Sequence, residues 1–211
     1  MDIGCGILAV WNDCAPGEEA GYEDWYLGEH LIERLSIPGF RWGRRYRRVN
    51  GAPDALPEYM TYYEVDAPEV LSSDAYLARL NDPTPETHRI MTNVFRNMNR
   101  TICRRVAGAG AIRGGYVAAA VASTESMTVD SLPDFALPNL WREVWQSAEP
   151  ASQGITEEES LRGGDAKIRG CALVDCQTAD DARALAAQMA ANSGLAVSAY
   201  RFTGSLNASD L

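Results

Sequence analysis

The sequence predicts an α+β fold in which two tandem ferredoxin-like β-α-β-β-α-β halves pack sheet to sheet as one pseudo-twofold α/β barrel. Three observations predict it. Strand-like and helix-like apolar runs alternate in that order over about the first hundred residues. After glycines at Gly108, Gly110, Gly114 and Gly115 the order returns. A ferredoxin-like sheet also has helices on one face and a bare apolar face on the other, and two bare faces in one chain bury each other. The halves are read as residues 1–108 and 109–211, the second degenerate.

The elements follow in order. Ile3 to Asn12 is an apolar strand. Pro16-Gly17 opens a helix with Glu18 and Glu19 in its first turn, where the helix dipole favours acids. The helix continues through YEDWYLGEHLIERL and stops at Ile37-Pro38-Gly39. Phe40 to Val49 alternates as a strand, with Phe40, Trp42, Arg44, Tyr46 and Arg48 on one face and Arg41, Gly43, Arg45 and Arg47 on the other. Asn50-Gly51, with Pro53 and Pro57, marks a turn before the aromatic strand Tyr59 to Asp66. Helical segments follow at Ser72 to Leu80 and at His88 to Phe95, separated by Pro83 and Pro85, and Asn99 to Val106 closes the half as a strand. In the second half, Tyr116 to Ser123 is a strand, Val129 to Asn139 a short helix and Leu140 to Ala148 a strand. Ser152 to Gly164 reads as a polar, acidic loop and Lys167 to Cys176 as a strand. A helix capped by Thr178 runs to Asn192, and Leu195 to Thr203 is the last strand. The repeat rests on element order, because the halves share few identical residues.

Composition narrows the function classes. A net charge of −10 disfavours nucleic acid as a partner. The N-terminal apolar run is too short for a membrane span and lacks the basic start of a signal peptide. Five scattered cysteines suit reduced thiols, hence a cytoplasmic protein. Two histidines in the whole chain argue against a structural zinc site. Eighteen of the nineteen basic residues are Arg, and six of those lie between Arg34 and Arg48. Arg is favoured where a planar fork must meet carboxylates or aromatic rings. Such a strand in an acidic protein points to internal pairing, an anionic ligand or an edge protected by charge.

The densest chemistry lies in Tyr22 to Tyr46. At 100° per residue Tyr22, Tyr26, Glu29 and Glu33 share one arc of the helix, with His30 at its border and Leu27, Leu31 and Leu35 on a separate apolar line. Buried carboxylates need partners, and Arg44, Arg45, Arg47 and Arg48 on the next strand are the expected ones for Glu29 and Glu33. His30 is the default acid–base candidate, since histidine alone titrates near neutrality without special help; a hydrogen-bonded core histidine is the bland alternative. His88 sits in a polar helical stretch and reads as structural.

These residues carry a resemblance. Asp24-Trp25-Tyr26-x-x-Glu29-His30-x-x-Glu33-Arg34, then Ile37-Pro38-Gly39-Phe40 and Arg44-Arg45-Tyr46, resemble the signature of EthD-like proteins of the dimeric α/β-barrel superfamily. Pro83-Thr84-Pro85, Phe95-Arg96-Asn97 and Arg100 are similar to the second part of that pattern; the second half of the chain has no comparable string. The resemblance implies a small cleft between helix and sheet near His30. It also implies company with cofactor-independent monooxygenases, polyketide-modifying dehydratases or cyclases, isomerases and haem-handling enzymes. The expectation is therefore an enzyme without metal or cofactor, of lyase, isomerase or monooxygenase type, working next to a carbonyl of a hydrophobic or aromatic substrate. His30 and Arg45 are its expected catalytic residues, and Trp25, Tyr26, Glu29, Trp42, Arg44 and Tyr46 its substrate-binding residues. A non-catalytic ligand-binding or assembly barrel is the first alternative, and haem handling through His30 or His88 the second. The expected partner is a small molecule, and the expected state a monomer or homodimer.

Overall fold

A computed structural model describes residues 5–52, 55–124, 127, 139–150, 154–193 and 195–211. In the first half, β1 (Gly6–Cys14) leads into α1 (Glu19–Trp25), a π turn (Tyr26–His30) and α2 (Leu31–Leu35). Then come β2 (Phe40–Arg48), β3 (Tyr59–Val65), α3 (Asp74–Leu80), α4 (Pro85–Asn93) and β4 (Phe95–Ala109). The second half holds β5 (Tyr116–Ala122), β6 (Arg142–Ser147), α5 (Glu157–Arg162), β7 (Gly170–Cys176), α6 (Ala179–Ser193) and β8 (Ala196–Asn207).

All eight strands close one antiparallel barrel in the order β1-β3-β2-β8-β5-β7-β6-β4. Each half contributes a sheet of the same order, β4-β1-β3-β2 and β8-β5-β7-β6. The two seams are equivalent, β2 against β8 and β4 against β6. The expected fused barrel is therefore the observed one.

Alternation along the strands sorts the side chains into three apolar layers. Trp11, Tyr46, Met60, Tyr62, Trp145 and Tyr200 fill the barrel. Outside the first sheet an aromatic layer packs under α1 to α4, including Tyr22, Trp25, Tyr26, Phe40, Tyr63 and Tyr76. Outside the second sheet small side chains such as Ala118, Ala120 and Ala199 meet Ala182, Ala186 and Met189 of α6. The close fit of α2 to β2 needs Gly43, because a Cβ there would stand 2.8 Å from Leu31 Cδ1.

Four expectations change. The register shift between Phe40 and Trp42 carries Phe40 out of the barrel onto the helix side, against Tyr63 and Tyr76. Leu27 and Ile32 are exposed, so Leu27 does not continue the Leu31 and Leu35 line. The expected loop at 152–164 contains α5: Thr156 caps it by accepting from the Glu159 N–H, three glutamates fill its first turn, and Gly163 ends it in the left-handed conformation. Those start and stop signals stand in TEEESLRGG, but six residues are too few for periodicity to register. The helix at His88 begins earlier, at Pro85, capped by Thr84. The helix expected at Val129 to Asn139 lies almost wholly outside the described residues. Among the described residues no helix is long and apolar enough to cross a membrane.

Candidate functional site

The first helix leaves α geometry at the stretch that carries its chemistry. An unbroken α-helix would bury Tyr22, Tyr26, Glu29 and Glu33 on one arc. The π turn over Tyr26–His30 inserts one extra residue, so the buried line becomes Tyr22, Tyr26, His30 and Arg34. Glu29 and Glu33 move to the half-buried border. Neither meets a β2 arginine as expected. Glu29 accepts hydrogen bonds from the Thr84 and Thr87 hydroxyls of α4 and its cap, and Glu33 faces Arg79 at 3.7 Å. Gly28, a poor helix former inside the turn, is the one sequence signal of the irregularity.

His30 is 7% exposed and packs against a tilted Trp25, at 4.5 Å between ring centroids, and an edge-on Tyr26, at 5.1 Å. Trp25 is itself fixed, donating from Nε1 to Thr87 Oγ1 at 3.3 Å. The imidazole Nδ1 makes no hydrogen bond. Burial, then the positive charges of Arg34, Arg162, Arg45 and Arg79, hold its pKa well below the ordinary histidine value. The ring is neutral at pH 7.

A cavity of about 20 Å³ adjoins His30, room for about one water molecule. Its polar lining is Arg34, Tyr63, Tyr76, Arg100, Glu158 and Arg162, against apolar walls such as Val10, Met91 and Phe95. Tyr26 and Tyr63 share a hydroxyl–hydroxyl hydrogen bond of 3.1 Å, and Arg100 donates to the Tyr76 hydroxyl at 2.6 Å. Glu158 comes from α5 in the second half. Its carboxylate pairs with Arg34 and lies 3.6 Å from Arg162, which is held in turn by Asp165 at 2.7 Å. The short helix thus stoppers the cavity with a buried acid. Of the residues around this cavity, sequence reasoning singled out Tyr26, His30, Arg34, Phe95 and Arg100; Tyr63 comes from β3, Tyr76 from α3, and Glu158 and Arg162 from α5 in the other half.

The other expected site residues lie elsewhere. Arg45 is buried beneath the helix, with its guanidinium 3.7 Å from the Tyr26 ring centroid, 4.9 Å from Tyr22 and 5.0 Å from Tyr59. It donates to Glu23 at 3.0 Å and to Thr61 at 3.2 Å, and it does not line the His30 cavity. Trp42, Arg44 and Tyr46 sit across the sheet. Arg44 lies 5.1 Å from the Trp42 ring and 4.9 Å from Phe202, with its Nη1 4.0 Å from Asp175. Arg105 bridges Glu64 at 2.7 Å and Glu143 at 2.5 Å, while Arg113 approaches Glu143 at 3.5 Å and Asp175 at 4.0 Å. Burial pushes the Asp175 carboxyl up to about 6, against the Gly114 N–H, Arg113 and Arg44, which favour its charged form. At this end a cleft of about 800 Å³ runs past Trp42 and Trp141, whose rings lie 5.3 and 4.2 Å from the Arg113 guanidinium. The expected residues therefore divide between two faces of one sheet.

Among the described residues no cluster of three His, Cys, Asp or Glu side chains is placed to hold a metal. Neither histidine faces a haem-sized space in this structure: His88 is exposed on α4, and the closed cavity beside His30 holds about one water.

No protein-family model matches the chain, and no curated protein matches it. Solved structures do. An anthrone oxidase-like protein superposes with a TM-score of 0.56 at 8% identity, over 96% of this chain and 92% of its own. A proposed monooxygenase from Fusobacterium nucleatum gives 0.51 at 7% identity, over 97% and 95%. At such identities the likeness concerns the fold, and it extends over the whole barrel.

Proposed function

We propose that this chain is an EthD-like, cofactor-independent enzyme that moves a proton next to a carbonyl of a hydrophobic or aromatic acid, as a lyase, an isomerase or in the opening step of a monooxygenation. The observation that carries this reading is the neutral, hydrogen-bond-free His30 Nδ1 beside a cavity that also collects Arg34 and Arg100. A neutral imidazole can accept the proton, and a guanidinium can meet the oxyanion that develops. Arg34 already holds a carboxylate, that of Glu158, which supports an acidic substrate. Trp25 and Tyr26 hold the imidazole, and Arg45, braced under Tyr26, positions the ring from behind. With room for one water, substrate entry requires α5 to withdraw Glu158, turning about Gly154 on one side and Gly163-Gly164 on the other.

The test is a thermal-shift screen of aromatic and polyketide-like acids, followed by turnover of the best binder. His30→Gln is expected to cut kcat by about 10²–10⁴ while the melting temperature moves little. Undiminished turnover in the variant would remove His30 from the chemistry. A second reading, a barrel that binds an acid without converting it, is favoured by the closed, ion-paired state of the cavity. It predicts a thermal shift with no product, equal in His30→Gln and wild type.

A further inference from the structure

Most arginines of β2 find acids within the molecule: Arg41 meets Asp66, Arg44 meets Asp175, Arg45 meets Glu23 and Arg47 meets Glu58. The end of the strand is different. Arg47 stands directly opposite Arg201 across the β2–β8 seam, a like-charge pairing that destabilises a sheet. Arg201 is exposed, and Arg48 gives one hydrogen bond to the Leu56 carbonyl at 2.7 Å. Neither has a carboxylate partner among the described residues. Arg183 of α6 completes the group, held by the Asn50 carbonyl at 2.9 Å and by Asp180, whose side chain is 91% exposed.

These four arginines line a cleft of about 470 Å³ in which Glu58 is the one carboxylate among the described residues. Two of the four are neutralised, Arg47 by Glu58 and Arg183 by Asp180. Arg48 and Arg201 remain, two positive charges with no carboxylate partner among the described residues, in a chain of net charge −10. The volume lies within the ~300–1,000 Å³ range of small-ligand sites.

We propose that the cleft at the β2–β8 seam binds a phosphoryl group, as inorganic phosphate or as the phosphate of a small ester. Guanidinium forks match phosphate oxygens, and a dianion answers both unmet charges where a monocarboxylate answers one. Tyr116, opposite Arg201 on the neighbouring strand, and Val49 give an apolar flank for the organic part of an ester. The cleft shares no lining residue with the His30 cavity, so this proposal stands independently of the reaction assigned there.

Isothermal titration of the full chain at pH 8 and low ionic strength, with inorganic phosphate, phenyl phosphate and benzoate, tests it. The expected result is one-to-one binding of both phosphates, with benzoate at least tenfold weaker. Arg201→Glu, at an exposed position, should weaken phosphate binding more than tenfold with a melting temperature unchanged or raised, because it relieves the like-charge pairing with Arg47. Arg48→Gln should weaken it in the same direction, and serves as the second variant if charge reversal disturbs folding. Phenyl phosphate binding tighter than inorganic phosphate assigns the cleft to an ester; equal or weaker binding assigns it to the free anion. No heat with either phosphate, benzoate binding as tightly, or full affinity in the Arg201 and Arg48 variants would overturn the proposal.

Discussion

His30 enters the folded protein without the proton that the unfolded chain holds below its ordinary pKa of 6.5. Its folded pKa is depressed, so the stability linked to this group is complete above that value and is lost as pH falls through the folded pKa. Asp175 runs the other way. Its pKa rises from 3.8 to about 6, so its share of stability is complete below 3.8 and is lost as pH climbs through about 6. Urea unfolding between pH 4 and 8 separates them: His30→Gln should remove a loss of stability on the acid side of neutrality. Asp175→Asn should flatten a decline that runs upward from pH 4 to 6. A His30→Gln profile superimposable on wild type would mean that the imidazole is not buried neutral.

At the scale of elements, α5 and the π turn decide the candidate site. A six-residue helix has little stability of its own, so α5 depends on its cap and on Glu158. Removing one partner of a buried ion pair leaves the other charge stranded, and Glu158→Ala should cost about 3–5 kcal/mol. Thr156→Ala, which deletes the cap alone, should cost about 1 kcal/mol. Hydrogen exchange reads both locally: Thr156→Ala should speed exchange in α5 and leave β1 and β3 protected. Equal acceleration throughout the chain would show that α5 opens only when the molecule unfolds. The sequence marked α5 with a threonine, three glutamates and two glycines, yet its brevity hid it. The π turn was less legible still. Projection at 100° per residue assumes an unbroken helix, so it placed Glu29 and Glu33 where His30 and Arg34 belong.

Over the whole molecule, two equivalent seams make one closed sheet, and the interior it encloses is shared. Trp145 from β6 lies 5.0 Å from Tyr62 of β3, so an interior contact spans the halves. Unfolding is therefore expected as a single transition, with tryptophan fluorescence and far-ultraviolet circular dichroism coincident in urea. Trp145→Ala, at a fully buried position, should destabilise that one transition by about 3–5 kcal/mol. Two separated transitions, one of them untouched by the substitution, would mean that the halves hold their structure independently.

The order of the eight strands along the chain, the alternation of β2 from Trp42 onward and the concentration of arginine in it were determined by sequence alone. These follow from local periodicity and composition, which act over a few residues. From them came the barrel, His30 as the acid–base candidate and the expectation that the arginines meet internal acids or an anionic ligand. Which partner each charge met was decided only by the tertiary structure. Burial makes an unpaired charge costly, and the neighbour that relieves the cost is set by long-range packing. Arg45 therefore serves Glu23 and three tyrosine rings, Arg34 takes Glu158 from the other half, and Arg48 and Arg201 meet no acid among the described residues.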